Sequence, residues 1–458
     1  MEKKRTHDNS DATLSMKERI GYGVGDFASN MMFAPVNSFI TYFYTNIVGL
    51  GAGVVGTIML LARLLDGLSD VLVGYLMEKI HSKHGKARPW ILWWSIPFAI
   101  SLVLLFSVPN LGTTGKTIYA AATYILAIVV VFTAANLPFG TLGSLITKNQ
   151  TERGYLNISK MIFAFAGGLV VNMLTLPMVE YFGNDARAWQ LTFLIYGGVA
   201  TVLFWITFFT TKERVTEEAL EKNKKERVDL MKGLASLFKN KYWLILLAVF
   251  FLNSVVNAFL GVNVYYAQYI MNDTGLVGNL SLYQTIASFA TFAASAYLLK
   301  RWGKKKIALY GFLASLIGYG MVVFAPTSYP ILYISAFIKG VGNAAQAGVA
   351  YGMLADTVEY NDYKFGMRIE GLVFSASSFG SKVGSGIGSA LLGWILAAFG
   401  YVSSSATQPA LAITGIKVIF LYVPIVFFAL MVLIMYFYDL DDKYDDIIAK
   451  LALRDKEN

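Results

Sequence analysis

The sequence predicts an all-α membrane protein with about twelve transmembrane helices in two pseudo-symmetric bundles of six. Three observations predict it. Of 458 residues, 56% are hydrophobic and only 15% are charged, with a mean hydropathy of +0.54. A soluble domain has too little interior to hide that much apolar surface. Apolar runs of bilayer length recur throughout the chain, a span needing roughly 20 residues. One hydrophilic stretch, 211–241, divides them into equal sets.

The first set lies near residues 20–47, 53–78, 89–108, 117–146, 157–181 and 189–211, and the second near 243–271, 275–299, 307–326, 329–354, 371–399 and 410–438. This gives a tail at 1–17, a six-helix bundle at 18–211, a linker at 212–242, a second six-helix bundle at 243–438 and a tail at 439–458. Several runs exceed 20 residues, which implies tilt or buried polar stretches. The first residues, MEKKRTHDNSDATLSMKER, contain no apolar core, so no cleaved signal is expected.

Charge orients the chain. Lys79, Lys83, Lys86 and Arg88 follow span 2, and Lys148 and Arg153 follow span 4. Lys300, Arg301, Lys304, Lys305 and Lys306 follow span 8; Lys364 and Arg368 follow span 10. The opposite loops carry little charge, so both termini and the linker are expected in the cytoplasm, with the protein in the plasma (inner) membrane. The net charge of +9 then reflects topology, and no nucleic-acid partner is expected. Cysteine is absent, which excludes disulfides, thiol chemistry and cysteine metal sites. His81 and His84 have the spacing of a metal pair, but a solvated loop without further ligands is the simpler reading.

The loops after spans 2 and 8 read EKIHSKHGKARPW and LLKRWGKKKIAL. Each is short and basic with a central glycine, which suggests a repeated six-helix unit; the plainer alternative is that any tight cytoplasmic loop is basic. Within the linker, LMKGLASL (230–237) is mildly amphipathic. A helix lying on the inner membrane surface and an ordinary linker turn both suit it.

Charges at bilayer depth are costly and therefore informative. Span 2 carries Arg63, Asp66 and Asp70. The carboxylates sit four residues apart and share a helix face. Span 1 carries Asp26 and Asn30, span 4 Thr133 and Asn136, span 5 Lys160, and span 11 Lys382. Span 10 carries Lys339, with Asn343 and Gln346 beyond it. At about 1.5 Å per residue, Asp66 and Lys382 fall near mid-bilayer, and Asp26, Asp70 and Asn136 lie nearer the cytoplasm. Two carboxylates in one dry site repel each other, and a held proton or sodium ion relieves the repulsion. The candidate coupling residues are Asp66, Asp70, Thr133, Asn136 and Lys382, with sodium possible at Asp66 and Asp70. The candidate substrate residues are Asp26, Asn30, Asn136, Lys160, Lys382, Tyr42, Tyr265 and Gln346, since sugars need polar partners and aromatic faces. Arg63 is assigned as a structural charge partner, and snorkelling competes with binding at Lys160. Lys339 has no motif to interpret it. Glycines 67, 74, 384, 386 and 388 suit either sliding or close packing.

These motifs resemble one family over about residues 17–440: GYGVGDFASN, ARLLDGLSD, HSKHGKARPW, NLPFGTL and ADTVEYNDYKFGMRIEG. The chain is identified as similar to the glycoside–pentoside–hexuronide:cation symporters of the major facilitator superfamily, of which the melibiose permease is the best-known member. The resemblance implies alternating access with sugar uptake driven by sodium, lithium or proton. It implies that Asp66 and Asp70 are cation carboxylates, Thr133 a cation-site hydroxyl, and Lys382 a lysine near that site. Lys160 falls where the melibiose permease has a sugar-contacting arginine. Asn30 and Asn136 stand where it has aspartate, and Gly140 where it has tryptophan. NLPFGTL looks more like the pentoside, glucoside and glucuronide branch. The expectation is therefore a cation-coupled glycoside symporter, proton rather than sodium. It needs no cofactor beyond H+ or Na+, is not an enzyme, and works as a monomer on a small-molecule sugar in a lipid bilayer. The alternatives are a lysolipid or amphipathic-solute transporter of the same fold and a non-transporting sugar sensor.

Overall fold

The computed structural model describes residues 13–79, 82–215 and 230–457. His81 of the histidine pair, the first twelve residues and the middle of the linker lie outside the described residues. Helix α1 (Met16–Ser38) runs on through Ile40–Tyr42 into a π-helical turn, Phe43–Ile47. There follow α2 (Ala52–Lys79), α3 (Arg88–Leu105), α4 (Thr113–Ile146), α5 (Gln150–Tyr181) and α6 (Ala186–Thr210). The short α7 (Leu230–Lys239) precedes α8 (Lys241–Met271). Next are α9 (Leu276–Phe324), α10 (Tyr329–Phe365) and α11 (Glu370–Ala398). Helix α12 (Ala410–Lys417) continues through Val418–Tyr422 and Val423–Tyr436, and α13 (Tyr444–Glu457) forms the tail.

Polar caps set several starts. Ser15 accepts from the Glu18 amide at α1, Asn149 from Thr151 and Glu152 at α5, Asp185 from Ala188 at α6, and Asn240 from Trp243 at α8. Each satisfies an amide that the helix itself leaves unpaired. Helix α9 holds spans 8 and 9, broken at Gly303, whose φ of 74° and ψ of 173° no helix contains. Eight of the helical stretches are long and apolar enough to cross a bilayer. The four other expected spans are also helices, and their polar and glycine residues lower their apolarity: α1, the first half of α9, α10 and α11.

The chain forms two compact units, Met1–Leu50 with Leu65–Lys225, and Gly51–Leu64 with Glu226–Asn458. In the first, α1 is the central helix. Its GYGVGD run removes side chains where neighbours press closest. A Cβ on Gly21 would strike Thr210 of α6, one on Gly23 would strike Ser159 and Phe163 of α5, and one on Gly25 would strike Phe139 of α4.

In the second unit, α11 uses its glycines on two faces. Gly384 and Gly388 lie against the backbone of α8, where a Cβ would come within 2.5 Å of the Phe251 and Val255 carbonyl oxygens. Gly386 and Gly393 receive the first turns of α2, at Arg63 Cβ and the Ala52 carbonyl. This close packing is why Gly51–Leu64 clusters with the second unit. An aromatic core that includes Trp243, Phe312, Phe428 and Tyr438 fills part of the second unit.

Candidate functional site

The first unit brings several polar groups together within its spans. Asp66 of α2 is 4% exposed and Thr133 of α4 is 3% exposed. The Thr133 hydroxyl donates to Asp66 Oδ1 at 2.9 Å. Ser69, three residues after Asp66, donates to Thr133 Oγ1 at 3.2 Å and also lies 2.9 Å from the Asp66 carbonyl. The result is a short hydroxyl chain ending on a buried carboxylate, with Asp70 partly buried one turn further along α2.

Local backbone geometry places Thr133. The middle of α4, Ile125–Phe132, is π-helical, and α-helix resumes at Thr133. A π segment re-aims the side chains that follow it and often marks functional sites. Nothing in the run ILAIVVVF announces it in the sequence.

A second cluster gathers on α1, α4 and α5. Asp26 is half-buried, and its carboxylate takes no hydrogen bond from another described side chain. Lys160 of α5 is the positive charge acting on it. The Lys160 ammonium lies 5.5 Å from the centre of the Phe139 ring. Phe139 in turn stacks on Tyr22 with centroids 5.0 Å apart. A cation over a ring face is attracted by the ring's quadrupole. Here it holds the lysine beside the acid without neutralising it directly. Asn30 turns its amide back to the Asp26 carbonyl at 2.9 Å. Asn136 is half-buried, and its side chain makes no hydrogen bond among the described residues.

The other expected site residues are described within their own elements. Tyr42, half-buried, packs against Trp189 at 6.3 Å. Arg63 is buried within the second unit, its Cβ beside Gly386. Lys382 is half-buried on α11 in that unit. Gln346 donates to Asn343 at 3.0 Å on its own helix. Tyr265 is fully buried, with its ring edge-on to Tyr401 at 5.3 Å. The structure thus joins Asp66 with Thr133, and Asp26 with Lys160, within one unit. Lys339, which the sequence left without a partner, sits over the rings of Tyr319 at 4.4 Å and Phe420 at 5.7 Å.

Ser69, Tyr22 and Phe139 are additions that the structure makes. Ser69 had a signal, its i+3 spacing from Asp66. Phe139 had none, because its role depends on α4 meeting α1 and α5. Among the described residues no group of histidines and carboxylates has the arrangement of a metal-ion site. His84 packs edge-on to Phe208 at 5.5 Å.

Residues 21–442 match the family described as MFS/sugar transport protein. The isoprimeverose transporter of Lactiplantibacillus pentosus is 34% identical over 447 residues, covering 95% of this chain and 91% of the relative. The inner membrane symporter YicJ of Escherichia coli (strain K12) is 35% identical over 438 residues, covering 92% and 91%. Among solved structures, a bacterial homologue of the lysosomal transporter Spinster, inward-facing and occupied, superposes with a TM-score of 0.64 at 14% identity. That superposition covers 93% of this chain and 96% of the other, and it bears on the fold alone.

Proposed function

The chain belongs to the MFS/sugar transport family, a family of multi-pass membrane transporters, and from that premise we propose that it imports a glycoside by proton-coupled symport. The fold and family expected from the motifs are borne out, and the chain is a transporter rather than an enzyme. In this reading both termini face the cytoplasm and a monomer suffices. A pentosyl or glucosyl substrate fits the NLPFGTL branch, and the relative named for isoprimeverose supports it.

The observation that carries the reading is the hydroxyl held 2.9 Å from a buried intramembrane carboxylate. A hydroxyl both donates and accepts. When Asp66 is ionised, Thr133 donates to it. When Asp66 is protonated, the new O–H donates to Thr133, and the hydroxyl turns without any heavy atom moving. The pair therefore accommodates both proton states of one site. Sodium needs several oxygen ligands, and Asn136 stands where the melibiose permease has a further carboxylate, so a proton is the better-supported ion. Asp26, Asn136 and Lys160 have hydrogen-bonding capacity free for sugar hydroxyls, and Phe139 and Tyr22 supply apolar faces. A ligand shifts the balance between two facing states only through its differential affinity for them. Proton and sugar together are proposed to supply that difference.

Uptake into right-side-out vesicles, with a panel of glycosides, with and without sodium and with a protonophore, tests this. Accumulation should collapse with the protonophore and ignore sodium; sodium-dependent accumulation overturns the proton assignment. Asp66→Asn should abolish gradient-driven accumulation while leaving equilibrium exchange of sugar. Thr133→Val should lower coupled uptake about tenfold, the cost of one hydrogen bond to a charged group. Thr133→Ser should restore it. Normal accumulation by Asp66→Asn would remove the coupling assignment.

A further inference from the structure

Helix α7 has a buried face and an exposed face. Gly233, Ser236 and Leu237 are buried against the second unit. Ser236 accepts from Asn361 at 3.3 Å, and Asn240, just past the helix, donates to the Thr357 carbonyl at 3.1 Å. The helix is therefore firmly held to its unit. On its other side Met231, Ala235 and Phe238, spaced i, i+4 and i+7, form an apolar stripe. Met231 is 72% exposed and Phe238 62%. Lys232 and Lys239 are exposed beside that stripe.

Three facts say what covers it. Span α8 begins two residues after α7, so the helix sits at the level where the chain enters the bilayer. Phe238 packs edge-on to Trp243 of α8 at 5.8 Å, and Leu244 beside it is exposed, so the stripe runs on into the lipid-facing surface of that span. The preceding stretch 216–229, TEEALEKNKKERVD, has nine charged residues among fourteen and is a poor cover for an apolar face. An apolar stripe bordered by lysines at a membrane boundary matches acyl chains below and anionic headgroups beside it.

We propose that α7 is a membrane-surface anchor. Met231 and Phe238 enter the inner-leaflet interface, and Lys232 and Lys239 bind anionic lipid headgroups. The choice of leaflet rests on the orientation proposed above.

The absence of cysteine makes a direct test simple. Met231→Cys, Phe238→Cys and, as a solvent reference on α13, Lys450→Cys are each spin-labelled in the full-length protein. Collision with oxygen and with a water-soluble nickel chelate is measured in nanodiscs of phosphatidylcholine, with and without phosphatidylglycerol. Labels at 231 and 238 should favour oxygen over nickel, and phosphatidylglycerol should strengthen the preference. The label at 450 should favour nickel throughout. Replacing Lys232 and Lys239 by glutamine should reduce the immersed-to-exposed ratio about fivefold per lysine in the anionic discs. Nickel exposure at 231 and 238 equal to that at 450 overturns the anchor. So does spin–spin broadening at 238, which would mean a second copy covers the face. Immersion insensitive to phosphatidylglycerol and to the lysines overturns the headgroup assignment. An impermeant maleimide on Lys232→Cys separates the two readings. Labelling from outside intact cells refutes the orientation, whereas labelling only in inside-out vesicles without immersion refutes the anchor.

Discussion

The turn after α2 and the turn that breaks α9 are the same device made with different strength. Each has a glycine at positive φ, Gly85 at 108° and Gly303 at 74°. Each is met by a carboxylate from just beyond the last span of its own unit. In the first unit Glu213 accepts the amides of Lys86, Ala87 and Arg88 at 2.8, 2.9 and 2.8 Å. These are the otherwise unpaired donors at the start of α3, where a negative charge is doubly favoured. In the second unit Asp441 accepts one amide, that of Lys305, at 2.6 Å. The remaining work passes to an ion pair, Lys304 with Asp356, both oxygens at 2.6 Å. The repeat between the units thus extends to backbone conformation and the logic of the cap, while the partners differ. The membrane interior differs further: Asp66 is matched by a hydroxyl, and Lys339 by two rings.

The comparison breaks most sharply at the glycines. A Cβ on Gly85 would lie 2.5 Å from the Glu213 carboxylate, but one on Gly303 would meet Asp441 at an ordinary 3.5 Å. Gly85→Ala should therefore cost about 4 kcal/mol, from backbone strain plus a displaced cap. Gly303→Ala should cost about 1–2 kcal/mol. Unfolding followed by tryptophan fluorescence in detergent measures both, and equal losses would mean the two turns are built alike.

The ion pair comes next. Lys304→Met leaves the Asp356 carboxylate buried and should cost about 3 kcal/mol, much of it recovered when Asp356→Leu is added. No recovery in the double variant would show that the pair acts through some other contact. Smaller again is the cap itself. Glu213→Gln should cost about 2 kcal/mol and Asp441→Asn about 1 kcal/mol, because one amide oxygen cannot serve three donors. Hydrogen exchange at Lys86–Arg88 and at Lys305 resolves the two sites.

The smallest effect lies at the tail. Asp439 is held well below the usual carboxylate range, chiefly by Lys443, with Tyr242 and Lys241 adding to it. Its contribution is present above the ordinary carboxylate value of about 3.9 and is lost as pH falls below it. Asp439→Asn should flatten that acid limb slightly, and an unchanged limb would show the pair to be fully screened.

The sequence by itself determined the spans, the linker, the polar groups in the bilayer and the family. Hydropathy and periodicity are local, and a charge among apolar residues needs no partner to be noticed. The glycines of GYGVGD and the central glycines of both basic loops were visible for the same reason. Only the tertiary structure decided what those residues meet. Glu213 reads as part of a charged linker until α6 brings it to a turn about 125 residues earlier in the chain. Thr133 reads as one hydroxyl among many until a π-helical register change aims it at Asp66. Phe139 reads as core until it lies under Lys160. A partner's identity depends on the packing of distant segments, and one-dimensional pattern carries almost none of that information.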